Sequence, residues 1–154
     1  MRGDEGSASL LTILLLPLMV LSFAVVIDLG VLRLAAARAR AAADLAALVA
    51  VNDQTEPSAG AALRLAVDAE LVAREYFELN LAGSRAFLAA SVTEIARSAD
   101  IAAFPAGGVD PLDGSRYEQP TVRIDAAVPL RSASLAPWIG PAVVVRAFAV
   151  AAAR

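Results

Sequence analysis

From Ala8 to Ile27 the chain runs for twenty residues without a charge. At about 1.5 Å per residue, a helix of that length covers the roughly 30 Å hydrocarbon core of a bilayer. Thirteen of the twenty are Leu, Ile, Val or Phe. At roughly −0.3 to −0.6 kcal/mol each they contribute about −4 to −8 kcal/mol to insertion, which outweighs the hydroxyls of Ser9, Thr12 and Ser22. Residues 8–28 are therefore expected to form a transmembrane helix. Pro17 would break a water-exposed helix, but in lipid a neighbour or a hydroxyl can satisfy the carbonyl it frees, so a kink is expected there rather than an end. A cleaved secretory signal is the competing reading, and it needs a basic start, a shorter apolar core and a small-residue cut site after a break. Here Arg2 stands against Asp4 and Glu5, and nothing interrupts the helical pattern from Ile27 to Asn52. The segment is read as retained.

Arg2 precedes the apolar run and Arg33, Arg38 and Arg40 follow it. That count would put the body in the cytoplasm, but long domains cross regardless of charge, so orientation stays open on charge alone. Asp28 to Val51 contains no proline and one glycine, so the helix should continue through residues 29–52 as a stalk, giving a rod of about 65 Å in all. Arg33, Arg40 and Asp44 share one stripe of it. Leu29, Leu32, Ala36, Ala39, Ala43, Ala46 and Ala50 share another, the expected packing face, whose small side chains admit either a sheet of the same chain or a neighbouring helix. Asp28 at the helix exit and Asp44 on the stalk are candidates for positioning and for a charged contact, against the simpler reading of both as solvated side chains.

Composition narrows the chemistry. The chain has 154 residues, room for one ordinary domain, with 58% apolar types, no histidine and no cysteine. Thiolate, imidazole and the usual zinc ligand sets are excluded, so no metal and no cofactor is expected. The 13 basic residues are all arginine, against 16 acidic ones. A net charge of −3 leaves no surplus for phosphate contacts, and no nucleic-acid partner is expected. An enzyme would have to run on carboxylates. Asp68 with Glu70, Glu75 with Glu78, and Asp110 with Asp113 are the available pairs, but such spacings arise on any hydrophilic surface, so the chain is read as non-enzymatic. Asp110 to Gly114 lacks the regular oxygen-donor spacing of a calcium loop, and turn formation accounts for it.

Downstream, Asn52 to Gly60 with Pro57 reads as a break. Ser58 is then expected to cap a second helix over 58–80 with Leu63, Val67, Leu71 and Phe77 buried, ended by Asn80 and Gly83. Ser84 to Phe104 carries both helical and strand spacing, so its state is open. Pro105 to Pro120 reads as a loop. Val122, Ile124, Ala126 and Val128 alternate with Thr121, Arg123 and Asp125 as in a half-buried strand, and Ala142 to Ala149 reads as its antiparallel partner, a hairpin over 121–150. Trp138 in the connection is read as a packed loop aromatic in preference to one at a membrane surface. The expected fold class is α+β: a long N-terminal helix continuing into a stalk, a second helix and a small C-terminal antiparallel sheet.

Two stretches carry a family likeness. One comprises Gly6-Ser7-Ala8, the leucine run to Leu16-Pro17, the exit Ile27-Asp28-Leu29-Gly30 and the tract Ala41 to Leu48. The other comprises Val122-Arg123-Ile124, Val128-Pro129-Leu130, Leu135, Gly140 and Val145 to Ala151. In this order they resemble the TadE and TadG group of minor pilin-like proteins, or pseudopilins, of tight-adherence (Tad/Flp) pilus systems, which are related to type IV pili. The resemblance spans roughly the first third and the last quarter of the chain. It implies a single-pass protein of the bacterial cytoplasmic membrane, with residues 1–7 as a short cytoplasmic leader and residues 29–154 as an extracytoplasmic body. It implies a non-enzymatic role in fimbrial assembly through helix packing with other pilin-like subunits and inner-membrane assembly proteins, with membrane lipid around the helix. Arg40 and Asp44 would sit in such a packing or charged contact. A membrane-anchored accessory or binding module unrelated to pili is the alternative. A prepilin peptidase acting on relatives cuts after a glycine, which maps to Gly6 followed by Ser7. The TadE branch then carries a glutamate at the fifth residue of the processed chain, where this sequence has Leu11. The chain is thus expected to lie closer to the TadG branch, because leucine cannot pair with a neighbouring subunit's amine and the uncharged Thr12 is no substitute.

Overall fold

The computed structural model describes residues 4–56, 64–133 and 135–153, with side chains from Leu11 onward apart from those of residues 53–56. The first helix, α1 (Asp4–Gln54), is 51 residues long, a rod of about 76 Å. It continues through Pro17. One helix among the described residues is long and apolar enough to cross a membrane, and it is this one. Its distal half buries Ala35, Ala39, Ala42, Ala43, Ala46, Ala47, Ala50 and Val51. These small residues keep the helix surface flat, so a sheet and a second helix both reach its backbone closely.

A short antiparallel pair, β1 (Thr55–Glu56) with β2 (Arg64–Leu65), follows α1. The next helix is α2 (Ala69–Ala82). It begins later than the expected start at Ser58, because Arg64 and Leu65 are strand and the Leu65 N–H donates to Pro105 O at 3.2 Å. Ser58 and Leu63 lie outside the described residues. The buried stripe of α2 is Ala69, Ala73, Phe77 and Leu81, one side chain per turn. Phe77 is buried as expected, whereas Val67 and Leu71 face solvent. Val67 precedes the helix, and Leu71 sits two residues from the stripe and so points away from it.

The segment left open between helix and strand is both, in series. After a 3-10 turn at Arg85–Phe87 comes α3 (Val92–Ser98), then β3 (Asp100–Phe104). Ser91 caps α3, its Oγ accepting from the Glu94 N–H at 3.2 Å. The expected loop up to Pro120 contains a small hairpin, β4 (Gly108–Val109) with β5 (Arg116–Tyr117). Gly107 (φ +80°) permits its approach, since a Cβ there would stand 2.5 Å from the Tyr117 carbonyl oxygen.

The main sheet has the order β3-β6-β7, all antiparallel, formed with β6 (Thr121–Arg131) and β7 (Ala142–Ala152). The register runs from Thr121 opposite Ala152 to Arg131 opposite Ala142. A four-residue helix, α4 (Ala136–Ile139), lies between those two strands. Val122, Ile124, Ala126, Val128 and Leu130 face the core formed with α1 and α2. The alternation read from sequence holds on this face. The fold is α+β, and the main sheet has three strands where a two-stranded hairpin was expected.

Candidate functional site

Asp28, the first charged residue after the apolar run, is 5% exposed. Its carboxylate gathers the β6–β7 connection onto the helix. Oδ2 accepts from the Leu135 N–H at 2.9 Å and from Ser132 Oγ at 3.3 Å, and Oδ1 accepts from the Ala133 N–H at 3.4 Å. The reading of Asp28 as a solvated side chain is therefore overturned. A carboxylate taking several N–H and O–H donors is an arrangement that offsets the desolvation of a buried charge. The connection ends in α4, and there Trp138 is 63% exposed and Ile139 49%. Trp138 is not the packed loop aromatic expected from sequence. The latch places the α4 end of the sheet at the exit of the apolar run.

The far end follows from simple lengths. Asp44, Leu48 and Asn52 border a groove with Val150, Ala151 and Ala152, so α1 and β7 run in the same direction. From Asp28 to Asn52 a helix rises about 36 Å, and the eleven residues of β7 span about 36 Å. The body is thus laid along the distal half of one rod.

The two faces of that rod have different fates. Ala39, Ala43, Ala46 and Ala50, four members of the expected packing stripe, are consumed within the chain, and Leu29 of the same stripe is exposed. The opposite face carries Leu34, Arg38, Ala41, Leu45, Leu48 and Asn52, all exposed, at steps of four and three. It continues upstream through Val20, Phe23, Ile27 and Gly30, also exposed. Leu45 is 50% and Leu48 49% exposed. A groove on each side of this ridge completes a helix-sized surface. One is lined by Arg38, Ala41, Leu45, Asn80 and Gly83, the other by the Asp44 and β7 residues already named. Arg33, Arg40 and Asp44 are exposed. Gly6 and Ser7 lie in the first turns of α1, where side chains are not described. Leu11 is exposed.

Residues 6–53 match the family described as "Putative Flp pilus-assembly TadE/G-like". The chain carries a TadE/G-like domain. That domain coincides with α1 almost end to end, so it includes the apolar run, the Asp28 latch and both faces of the rod. The TadE/G-like match supports involvement in Tad pilus assembly. No curated protein and no solved structure matches the chain.

Beyond the TadE/G-like domain, Glu70, Glu78, Asp110 and Asp113 of the carboxylates weighed as chemistry are tied into the fold, whereas Asp68 makes no side-chain cap to α2. Glu70 accepts the Ala103 N–H at 3.0 Å and fastens α2 to β3. Glu78 accepts from Thr93 Oγ1 at 2.6 Å. With Glu75, Glu94 and Arg131 it lines an open groove between α2 and α3. Asp113 accepts from both the N–H and Oγ of Ser115, which holds its carboxyl below the usual range. Asp110 is fully buried, and its Oδ1 accepts the Leu112 N–H at 2.9 Å. Its Oδ2 lies 2.6 Å from Arg123 Nε. That nitrogen makes no aligned hydrogen bond, so the pair is an ionic contact. Arg123 Nη2 also donates to Asp100 Oδ2 at 3.1 Å. Tyr117, its ring tilted 50° against that of Phe104 with centroids 5.0 Å apart, has its hydroxyl near the same Asp110 oxygen. Burial, then the Asp110 charge, pushes the Tyr117 pKa up. Asp110 is thus an internal counter-ion to Arg123. Sequence reasoning missed this cluster because Arg123 falls on the polar side of the β6 alternation.

Proposed function

We propose that this chain is a single-span, minor pilin-like subunit of a Tad/Flp pilus assembly apparatus, anchored in the cytoplasmic membrane with its body outside. It acts by lateral packing of α1 against helices of other pilin-like or assembly-platform subunits. The observation that carries this reading is the exposed ridge. The body already occupies the alanine face of α1, and the leucine-bearing face continues the apolar run without a change of phase. Within lipid, helices associate by close packing, and beyond it the exposed leucines gain by burial in a neighbouring groove. Arg40 and Asp44 flank the ridge at its distal half, where opposite charges can set the register of a partner helix. No step in this role needs a reacting side chain, a metal or a cofactor.

Leu45→Arg combined with Leu48→Arg tests the ridge. Both side chains are exposed, so the stability of the isolated protein should change by no more than about 0.5 kcal/mol. Co-purification of pilin-like subunits should be lost, and surface fibres should fall to the level of a strain lacking the chain. Normal fibres and normal co-purification would sink the packing role. Fibres left intact by deletion of the whole chain would instead favour the anchored module with no part in pili.

Processing has its own readout. A prepilin peptidase acting here releases a chain whose mass begins at Ser7, with Leu11 fifth. On that chain the amino terminus finds no glutamate at the fifth position of a like neighbour, so this subunit does not build a fibre from itself alone. Intact-mass measurement of the membrane-extracted protein checks this, and a mass beginning at Met1 removes the cleavage step while leaving the anchor untouched.

A further inference from the structure

We infer that the α4 tip of the β6–β7 connection is a second membrane contact, a wedge seated in the lipid headgroup layer beside the helix exit. The inference rests on the reading of residues 8–27 as a span and adds a site to it. Asp28 stands directly after that span, and its carboxylate holds the Leu135 N–H at 2.9 Å. Trp138 lies three residues further along, within about 5 Å of that level whichever way α4 runs. The headgroup region on each side of a bilayer is about 5–7 Å thick, so Trp138 falls within it.

The chemistry of the tip suits that layer. Ser132 to Pro141 contains no ionisable side chain. Trp138 and Ile139 are both exposed. An indole has an apolar body and one N–H donor, which is why tryptophan concentrates at the boundary between hydrocarbon and water. The buried carboxylate of Asp28 keeps this apolar tip from collapsing onto the sheet and holds it level with the end of the apolar run. The partner is lipid, because the tip lies at the height where the helix itself leaves lipid.

Trp138 is the single tryptophan of the chain, so the unmodified protein reports on its own tip. The full-length chain is reconstituted at low protein-to-lipid ratio into phosphatidylcholine and phosphatidylglycerol vesicles, and its fluorescence is read with three quenchers. Expected are a blue-shifted emission, protection from aqueous acrylamide, and stronger quenching by lipids brominated close to the headgroup than by lipids brominated near the chain ends. Asp28→Ala should restore acrylamide access while the protein stays on carbonate-washed vesicles. Asp28→Asn, which keeps an acceptor oxygen, should restore it less. Acrylamide access in a chain that survives the carbonate wash would overturn the wedge and leave the span standing. Loss of the chain in the wash would overturn both. Protection that grows with protein-to-lipid ratio, or quenching greatest at the chain ends, would also overturn the wedge, the first by pointing to a second copy and the second to deep insertion.

Discussion

Arg123→Met is expected to destabilise the folded body by about 3–5 kcal/mol. Arg123 is 2% exposed and the Asp110 beside it is fully buried. Removing the cation alone strands a carboxylate in a place without water, and that desolvation dominates the loss. Exchanging both partners, Arg123→Met with Asp110→Asn, should return most of the stability, because a buried pair replaced by neutral groups is often close to energetically neutral. Asparagine also retains an oxygen for the Leu112 N–H. Urea unfolding of the full-length chain in detergent, followed by far-ultraviolet circular dichroism, gives both numbers. A loss below about 1 kcal/mol for the single variant would mean that the remaining carboxylate finds water, contrary to the burial on which the argument stands.

Phe77→Ala should remove about 3–5 kcal/mol. The core along α1 is built of alanines, so little nearby bulk can collapse into the space a ring vacates. Phe77 is the largest of the fully buried side chains among the described residues, and it belongs to the core that α2 shares with α1. Phe77→Leu should cost much less, since most of the volume stays. Val67→Ala and Leu71→Ala should each lie within about 0.5 kcal/mol of the parent, both being solvent-facing. The same unfolding measurement ranks all four. If Leu71→Ala matched Phe77→Ala, the assigned face of α2 would be wrong.

These two cases also show what was legible in the residues. The long helix and the alternation of β6 follow from periodicity, because each buries one continuous face and the pattern repeats over many residues. The alanine stripe was equally readable, but what covers it was not, since alanine fits a sheet and a helix alike. The start of α2 was misplaced because Ser58 offers a cap, whereas Leu65 pairs with Thr55 in a short strand and donates its N–H to Pro105, forty residues away. Such long-range pairing leaves no local signature. Arg123 and Asp110 were read separately as polar surface and turn former, and only the fold of the β4–β5 excursion over β6 buries them together. Of the candidate functional residues, Asp28 was singled out for its position at the helix exit. Its three acceptor contacts come from residues more than a hundred positions later in the chain, and proximity of that kind is settled by topology.

The continuity of α1 has a mechanical consequence. No joint separates the apolar stretch from the stretch that the sheet and α2 grip, so the body cannot swivel on its anchor. A spanning helix leaning by about 20° would carry the far end of a body about 36 Å long sideways by about 12 Å. Bilayer thickness, by setting that lean, would steer which way the distal surface faces.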